Sequence, residues 1–521
     1  MDPTDPGDRP PEPEQPLPPR PAWPPPPPAA LGPGQPPGSA PPVSPGWGLP
    51  PGSQPSAPPA WGQPTTPPAW GRPPAPPTWG EPPSPPRNRR RVHWILAGLA
   101  SLLVVALVAA VLVVRPAAPA GSSGLPPRAA GPARPAAPAR PDPRTDLPKL
   151  LAKRAKAIVV DDRTAFMSTV DKRQKAWYRE QSTQFARMRT VPFSAFSYRI
   201  VELRAGSGLK RRYHADQVYL SQVEARYRFT GQDASPVLTS HSFTFVHIPA
   251  GWRVAGKGDK RLQAHDDVEI WDTGQVRTLR SARTLIVHHP GEEALARGVL
   301  TVADRAYAQV GAAWTGKWEH KAVILIPRDQ DEAEELVGAR DLSQVAAVAA
   351  SSIESDESGR VLGNRIVVNT TNVLGYRNPE LQVVITHEMT HVATRTLRIG
   401  VPLLLVEGFA DWAALMPVKL PFAVTRAALV QEVRSGRFDG TLPGDREFRG
   451  SRAGVAYDEG SAFCLWVART YGAAKLRALY REFARTSPAG PPNLDRGFRR
   501  VLHLSRGTVE HRWAAWVRDQ G

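Results

Sequence analysis

The sequence predicts a protein of the α+β class, in which an unfolded tail and a membrane-spanning helix precede two folded domains. Three observations support this prediction. Proline dominates the N-terminal part, an apolar run without acidic or basic side chains follows it, and the remaining chain changes from strand-like alternation to helical apolar spacing. We therefore divide the chain into segments 1–86, 92–114, 115–146, 147–279 and 280–521.

The N-terminal segment 1–86 has the composition of a disordered tail. It holds 36 of the 59 prolines and few aliphatic residues, so little apolar surface can offset the entropy lost on folding. Three similar hexapeptides place Trp61, Trp70 and Trp79 nine residues apart. Such a repeat is typical of polyproline II ligands for groove-binding proteins, and it is also compatible with a tether that has no partner.

Residues 92–114 form the predicted transmembrane helix. The run has 23 residues without Asp, Glu, Lys or Arg, and His93, its one ionisable residue, lies near the start. This length is sufficient to span a hydrocarbon core of about 30 Å. Four arginines lie just before the run and only Arg115 just after it, which predicts a cytoplasmic N-terminus and extracellular C-terminal domains. The Pro/Ala-rich segment 115–146 is then a semi-rigid linker.

The chain carries a formal net charge of +18 and a single cysteine, Cys464. One thiol excludes an intramolecular disulfide framework and a four-cysteine zinc site. Most of the positive charge lies after the predicted span, where it favours contact with anionic cell-wall polymers or lipid headgroups. An arginine-rich composition without such a partner is the alternative. No basic run with interleaved aromatic residues indicates a nucleic-acid partner.

The segment 147–279 is predicted to be a small domain of helices and an antiparallel sheet. Helical apolar spacing covers 147–167, alternating strand patterns follow, and a turn at 249–251 precedes the last strand. This order of elements resembles the NTF2-like fold. The resemblance implies a helix covered by a curved sheet but no particular chemistry, and both a ligand-binding and a spacer role stay open.

The most informative motif is HEMTH, which begins at His387 and ends at His391. Asn378 and Pro379 favour a helix start upstream of it. Two histidines four residues apart project from one face of a helix, where their ring nitrogens can bind one zinc ion. Glu388 lies beside them, close enough to contact a water molecule on the metal. This is the H-E-x-x-H pattern of zinc metallopeptidases.

A third ligand is predicted on the next helix. Pro402 can open that helix, and Glu407 falls in its first turns. A catalytic zinc ion needs three protein ligands and one open position. Asp411 lies one turn beyond Glu407 on the same face, where its carboxylate can accept the free N–H of a ligating histidine. The alternative for both acids is an ordinary solvated helix face.

The run HEMTH, followed by EGFAD from Glu407 to Asp411, resembles the gluzincin zinc metallopeptidases, the peptidase MA-like group that includes thermolysin-like and aminopeptidase-like enzymes. The resemblance implies that segment 280–521 is a mainly helical domain with a small sheet. It also implies one Zn²⁺ per chain and the hydrolysis of peptide bonds by a water that the zinc ion activates.

The same resemblance implies a role for each site residue. His387, His391 and Glu407 would be the zinc ligands. Glu388 would be the general base, and Asp411 would hold a ligating histidine through a hydrogen bond.

A further segment, which begins at Tyr457 and contains Gly460, is similar to the tyrosine-plus-glycine segment of the aminopeptidase-like enzymes. By this similarity the Tyr457 hydroxyl would stabilise the oxyanion, and a buried structural tyrosine is the alternative. The G-x-M-E-N segment with which aminopeptidases hold a free N-terminus is not found in the sequence. We therefore expect an endopeptidase rather than an exopeptidase.

Two further patterns leave alternatives open or are set aside. A predicted strand precedes the HEMTH helix, and gluzincins pair extended substrates with an edge strand at this place. Residues 366–369 are either that edge or part of an interior strand. His288 and His289 follow an apparent strand and are interpreted as a loop pair rather than a second metal site.

The sequence therefore favours a membrane-anchored, zinc-dependent endopeptidase that acts on peptide or protein substrates outside the cell. The alternative is a non-catalytic membrane-anchored relative that binds zinc or cell-wall components, although such a protein has no need of Glu388 as a base. A third hypothesis is a scaffold that acts through the tail repeat or through segment 147–279.

Overall fold

The computed structural model describes residues 141–257, 266–339, 341–353, 361–394, 400–485 and 493–520. The predicted tail, the predicted transmembrane helix and nearly all of the predicted linker lie outside these ranges. Within them, no helix combines the length and the apolar character that crossing a membrane requires. Helices and strands are both abundant, in agreement with the α+β class.

The described strands form two sheets and are numbered in chain order. They are β1 Phe193–Ala205, β2 Gln217–Phe229, β3 Val237–Ile248, β4 Gly251–Lys257, β5 Arg277–Arg280, β6 Thr284–His288, β7 Ala322–Ile326, β8 Ala347–Ile353 and β9 Val361–Val368.

The described helices are numbered in the same way. They are α1 Pro143–Val159, α2 Arg163–Met167, α3 Lys175–Met188, α4 Lys210–Tyr213, α5 Ile270–Thr273, α6 Glu293–Ala313, α7 Gln330–Val337, α8 Asn378–Thr394, α9 Leu403–Leu415, α10 Phe422–Thr425, α11 Ala427–Arg434, α12 Ala453–Tyr471, α13 Ala473–Arg485, α14 Leu494–Leu502 and α15 Arg506–Arg518.

The first sheet contains β1 to β4, antiparallel and in chain order, as the alternating patterns predicted. The hairpin from β3 to β4 pairs Ile248 with Gly251. Gly251 has a φ of 92°, a conformation that glycine adopts without steric cost. α1, α2 and α3 pack beside this sheet and bury Leu151, Phe166 and Phe185 in the core.

The single helix predicted over 147–167 is in fact two helices. α1 begins before Leu147, because Asp142 caps it by accepting a hydrogen bond from the backbone N–H of Arg144. The chain leaves the helical conformation at Asp161, where φ is 55°, and Asp162 then caps α2. The apolar spacing continues across this break, so the pattern alone did not reveal it.

The second sheet has the strand order β5-β6-β7-β9-β8. β6, β7 and β9 are parallel, and β5 and β8 are antiparallel strands at the two edges. α6 connects β6 to β7, as parallel neighbours require. Of the two interpretations of 366–369, the interior strand is correct: Ile366, Val367 and Val368 are all buried, which is typical of a strand covered on both faces. β8 forms the edge instead.

The two sheets share one hydrophobic core. Arg365 on β9 donates hydrogen bonds of 2.8 Å to each carboxylate oxygen of Asp233, which follows β2. Its guanidinium carbon also lies 4.6 Å from the centre of the Phe229 ring. Both side chains of this ion pair are buried, so neither charge could be removed without leaving the other unpaired. The segments 147–279 and 280–521 therefore pack as one unit.

Backbone contacts reinforce this junction. The hydroxyl of Ser352 on β8 accepts a hydrogen bond of 3.0 Å from the Leu238 N–H and donates one of 3.1 Å to the Leu238 carbonyl. β5, on which the predicted boundary at 279/280 falls, pairs with β6 of the second sheet. The first sheet thus holds the edge strand β8 in place.

The helices after the second sheet form the remaining layer. α8 packs against α6 and α9, and α9 packs against α12. α13 and α14 extend the layer beyond α12, and α15 packs against α12 and α14. Cys464 on α12 is a buried free thiol, as expected.

Glu269, just before α5, is a buried carboxyl group in the first half of the structure. Burial, together with the nearby Asp272 carboxylate, raises the pKa of Glu269 from 4.5 to about 8. The folded protein therefore holds this proton up to a higher pH than the unfolded chain does. As a result, the contribution of protonated Glu269 to the free energy of unfolding is complete below pH 4.5 and is lost as the pH rises toward 8. The loss amounts to at most about 1.4 kcal/mol per pH unit.

We predict that Glu269→Gln removes this pH dependence, because glutamine has no proton to lose. Urea unfolding of the full-length protein at pH 5 and pH 8 measures the effect. The variant should gain at least about 1 kcal/mol relative to the wild type between the two pH values. If the difference in unfolding free energy between the wild type and the variant is the same at pH 5 and pH 8, Glu269 ionises normally.

Candidate metal centre

α8 carries the HEMTH motif into the interior of the protein. His387, Glu388 and His391 are all buried, and the two imidazole rings face one side of the helix, 4.7 Å apart between their centres. At the start of the helix the Glu380 carboxylate accepts from the backbone N–H of Arg377. On another face the Thr386 hydroxyl bonds to Gln309 of α6. These contacts define the rotation of the helix about its axis.

α9 supplies the predicted third ligand. Pro402 precedes its first residue, and the backbone N–H of Leu403 donates to the Asp445 carboxylate at 2.8 Å. Glu407 lies one turn into this helix with a buried side chain. The exposed helix face that was the alternative for Glu407 is therefore not observed.

The three predicted ligands converge on one point. The Nε2 atoms of His387 and His391 lie 2.9 Å apart, and Oε2 of Glu407 lies 3.4 Å from each of them. These three side chains form a buried group that can hold a metal ion. Among the described residues, no other group of three or more His, Cys, Asp or Glu side chains meets the same condition.

The two contacts of Glu407 suit a tetrahedral ion, whereas the 2.9 Å between the two Nε2 atoms is shorter than this geometry gives. Ligand atoms at the zinc–ligand distances of about 2.0–2.2 Å lie roughly 3.3–3.5 Å apart at tetrahedral angles, close to the two contacts of Glu407. At 3.4 Å neither contact is a well-formed hydrogen bond, and Oε2 of Glu407 has no other hydrogen-bond partner in the described part of the chain. Nitrogen and carboxylate donors are also the ligands that zinc prefers.

Asp411 orients one of the two histidines. Its Oδ1 lies 2.8 Å from Nδ1 of His387. Because a carboxylate accepts, Nδ1 carries a proton and donates a hydrogen bond to Asp411. Nε2 of His387 is then free to bind a cation. Asp411 thus lies one turn beyond Glu407 and against His387, the position that the sequence predicted for it.

The electrostatics of the group favour a bound cation. Burial alone would lower the pKa of His387, but the hydrogen bond to Asp411 and the close Glu407 carboxylate raise it to about 10. Burial would raise the pKa of Glu407, yet His391 and His387 lower it to about 2. The carboxylates of Asp411 and Glu407 therefore favour positive charge at the point where the Nε2 atoms of His387 and His391 meet.

Glu388 differs from the other acids of the group. Neither of its oxygens makes a well-formed hydrogen bond within the described residues. Burial raises its pKa to about 8, and the Ala349 backbone on β8 offsets part of this rise. Glu388 is therefore a buried carboxyl group that, without a cation beside it, holds its proton more strongly than an exposed glutamate does.

Tyr457 lies near the same group. Its ring is buried against Phe448, 5.3 Å between ring centres. Burial raises the pKa of its hydroxyl well above the ordinary value, and the charges of Glu407, Asp411 and Glu388 raise it further. The hydroxyl therefore keeps its proton, and it lies close enough to all three carboxylates to interact with their charges.

No protein-family model matches this chain, and no curated protein matches it as a relative. The interpretation of the site therefore depends on the geometry of its own residues.

A close helix contact positions Glu407. A Cβ atom on Gly408 would lie 2.2 Å from the backbone carbonyl oxygen of Gly460 on α12, far inside van der Waals contact. Both glycines belong to the motifs that the sequence singled out. They allow α9 and α12 to approach each other directly behind the ligand.

The sequence did not identify Asp458 and Arg426. Asp458 is buried and accepts from the backbone N–H groups of Ala428 and Leu429, at the start of α11. Burial raises its pKa to about 7. Arg426 is also buried, and its charge acts on both Asp411 and Asp458. The one signal for Asp458 was its position next to Tyr457, and Arg426 had none.

His288 is the last residue of β6 and His289 follows it, and both are buried. Neither belongs to a metal-binding group among the described residues. His289 hydrogen-bonds through Nε2 to Glu332 at 2.7 Å and through Nδ1 to the Gln275 carbonyl at 2.6 Å. Glu332 lies in the first turn of α7 and is buried, although a run of acidic residues at a helix start is usually solvated. His289 and Glu332 thus belong to an internal hydrogen-bond network.

We predict that Gly408→Ala disrupts the metal centre. The new methyl group must push α9 away from α12, at a cost of about 1–3 kcal/mol, and Glu407 moves with α9. Thermal unfolding and zinc content of the full-length protein measure both effects. Gly454→Ala on α12 is the matched control, because nothing lies within 4 Å of its Cβ position. This control should be neutral or up to about 1 kcal/mol more stable, and equal behaviour of the two variants would refute the contact.

We also predict that Asp411→Asn weakens metal binding by about 10- to 100-fold. The amide cannot accept the Nδ1–H of His387 with the strength of a carboxylate, so the ring loses its orientation. Competition with a chelator of known zinc affinity measures the change. An unchanged affinity would mean that Asp411 does not orient the ligand.

Proposed function

We propose that this protein is a zinc-dependent endopeptidase of the gluzincin type. The observation that carries the proposal is the convergence of His387, His391 and Glu407 from two helices on one buried point. A carboxyl group without a well-formed hydrogen bond, Glu388, lies directly beside that point. Together these are the ligands and the base that metal-assisted peptide hydrolysis needs.

His387, His391 and Glu407 would hold the zinc ion. Bound there, zinc would lower the pKa of a water molecule toward neutrality and polarise the substrate carbonyl group. Asp411 keeps His387 in the tautomer that presents Nε2 to the ion. Zinc binding would displace the second proton of His387, and the three residues would then supply two imidazoles and one carboxylate.

Glu388 would act first as the general base and then as the general acid. Its carboxylate takes a proton from the attacking water and passes it to the leaving amine. Burial raises the pKa of Glu388 in the absence of the ion, and the charge of a bound zinc ion would lower it, so that the carboxylate would be available as the base. Tyr457, whose hydroxyl remains protonated, would donate a hydrogen bond to the oxyanion.

The edge strand β8 would bind the peptide backbone. No described strand pairs with its outer side, and its residue Ala349 lies beside Glu388. An extended peptide that added to this edge would lie across the active helix, with main-chain hydrogen bonds supplying affinity. Residues 366–369, the edge considered as one of two alternatives from the sequence, cannot take this role because β9 lies between β7 and β8.

The remaining parts of the proposal come from the sequence. The run 92–114 would anchor the protein in the membrane with its N-terminus in the cytoplasm and its catalytic part outside. Segment 147–279 would be an NTF2-like module. The positive charge of the chain would favour anionic cell-wall polymers as a surface partner, and the tail repeat would bind a proline-recognising partner.

We predict that Glu388→Gln lowers peptide cleavage by about 10²- to 10⁴-fold, because the amide cannot accept the proton. Zinc content should stay at one ion per chain, since Glu388 is not a ligand. The full-length protein is tested on unstructured casein, with Glu335→Gln, an exposed residue of α7, as the matched control. Equal cleavage by wild type and Glu388→Gln would disprove general-base catalysis by this residue.

We predict that His391→Ala abolishes both zinc binding and cleavage, because two ligands do not retain the ion. Elemental analysis of the full-length protein measures the first loss, and casein cleavage measures the second. A chelator should inactivate the wild type, and added zinc should restore it. A wild type without zinc, or one that cleaves fully after chelation, would contradict the proposed function.

A further inference from the structure

The segment that joins α9 to α11 is unusually apolar for an exposed part of the chain. Residues 412–431 contain no Asp or Glu, and Lys419 and Arg426 are their only charged residues. Leu420 and Val424 keep 56% and 59% of their surface exposed. Contact of aliphatic groups with water is unfavourable, so this segment is suited to contact with another apolar phase.

A second loop continues this apolar surface. Leu374 and Tyr376, which lie between β9 and α8, are exposed, and Leu374 keeps 84% of its surface in water. Tyr376, Leu420 and Val424 line one cleft, so the two loops meet at its mouth.

Exposed apolar side chains concentrate at this mouth. The described residues contain seven exposed large apolar side chains. Five of them are at the cleft or within two residues of its lining, and we call these five the cleft rim: Leu374, Tyr376, Met416, Leu420 and Val424. A cluster of exposed apolar groups marks a contact surface.

Cations accompany the apolar side chains of the cleft rim. Lys419 and Arg377 are exposed within the two loops, and the carboxylate of the neighbouring Glu380 accepts a hydrogen bond from the backbone N–H of Arg377. Asp411 and Asp458 lie deeper in the cleft and are buried. Lysine and arginine can lay their stems along an apolar phase while their charges stay in water, and tyrosine is common at membrane interfaces.

The chain itself indicates which apolar phase covers the cleft rim. The sequence predicts a membrane anchor at 92–114, and 28 residues, 115–142, separate it from α1. A Pro/Ala-rich chain of that length extends up to about 90 Å, whereas a folded chain of about 380 residues has a radius of gyration of roughly 21 Å. The linker therefore lets any face reach the bilayer, and the tether raises the effective concentration of lipid at the cleft rim.

We propose that the cleft rim is a membrane-contact site that inserts into the surface of the bilayer that anchors the chain. Its five apolar side chains enter the boundary between headgroups and acyl chains, to a depth of about 5–10 Å. Lys419 and Arg377 meet the phosphates of anionic lipids. The inference rests on the proposed anchor at 92–114 and requires neither a metal ion nor peptidase activity.

A fluorophore on a single cysteine tests this contact. Cys464, the only thiol of the chain, is buried, so a cysteine introduced at the surface is labelled selectively. The full-length protein with a labelled Leu420→Cys is reconstituted in phosphatidylcholine vesicles that contain about one-third phosphatidylglycerol. Spin-labelled lipid should quench this fluorophore at least about twofold more than a fluorophore at Val160→Cys.

Val160→Cys is the matched control, because Val160 is 57% exposed but lies just after α1. Equal quenching at the two positions would overturn the inference. A blue-shifted emission at Leu420→Cys that spin-labelled lipid does not quench would also overturn it. In that case protein covers the cleft rim, either a second copy or the tail of the same chain.

Acidic substitutions test whether the apolar side chains enter the lipid. With the fluorophore at Met416→Cys, the double substitution Leu420→Asp and Val424→Asp should reduce quenching at least about threefold, because carboxylates are costly to place in lipid. The matched control, Val160→Asp with Val201→Asp, changes two exposed residues at α1 and β1 and should leave the quenching unchanged. Full quenching after the substitutions in the cleft rim would refute the contact.

A lipid comparison tests the two cations. Without phosphatidylglycerol, quenching at Leu420→Cys should fall by about half, because Lys419 and Arg377 lose their anionic partners. Equal quenching in both kinds of vesicle would rule out the proposed contact of these cations with anionic lipid.

A fluorophore at Ala106→Cys, inside the predicted span, separates this inference from the proposed anchor. Quenching at Ala106→Cys without quenching at Leu420→Cys retains the anchor and overturns the contact of the cleft rim. Quenching at Leu420→Cys without quenching at Ala106→Cys supports the cleft rim and removes the anchor from the proposed function. Zinc content and casein cleavage test the peptidase independently of both.

Discussion

The burial of carboxyl groups around two imidazoles is the constraint on which this structure depends. His387, His391 and Glu407 point at one another from neighbouring helices with little or no access to water. Buried charge is tolerated only when it is paired or bound to a metal. The pairing inside the group is incomplete, since Oε2 of Glu407 and Nδ1 of His391 have no well-formed hydrogen bond among the described residues. A cation at their centre would compensate the charge that the fold has brought together.

Rigid elements rather than loops support this centre. α8 is held on one face by α6, through the Thr386 and Gln309 side chains. α9 is held by α12, through the contact of Gly408 with Gly460. Because each ligand sits within a helix, small movements of one ligand require a movement of a whole packed element. Such support is what keeps catalytic groups within a few tenths of an ångström of their working positions.

The first sheet supports the candidate site, although it comes much earlier in the chain than the site residues. Leu238 of β3 holds Ser352 of β8 by two hydrogen bonds, and the ion pair of Arg365 with Asp233 closes the same junction. Ala349, three residues before Ser352, lies beside Glu388. The sheet that comes first in the chain thus fixes the edge strand of the second sheet against α8. This physical link gives segment 147–279 a role in the architecture of the site.

Local patterns determined much of what was predicted from the sequence. Helical spacing predicted that His387 and His391 share one face and that Glu407 and Asp411 share another. The resemblance to gluzincins joined these two pairs into one predicted group. Alternation likewise predicted the antiparallel strands of the first sheet. Tertiary structure alone decided that β8 rather than residues 366–369 forms the edge, since strand order depends on pairings between distant segments. It also decided the burial of Asp458, Arg426 and the pair His289–Glu332, because burial of a polar side chain depends on partners that no local pattern reveals.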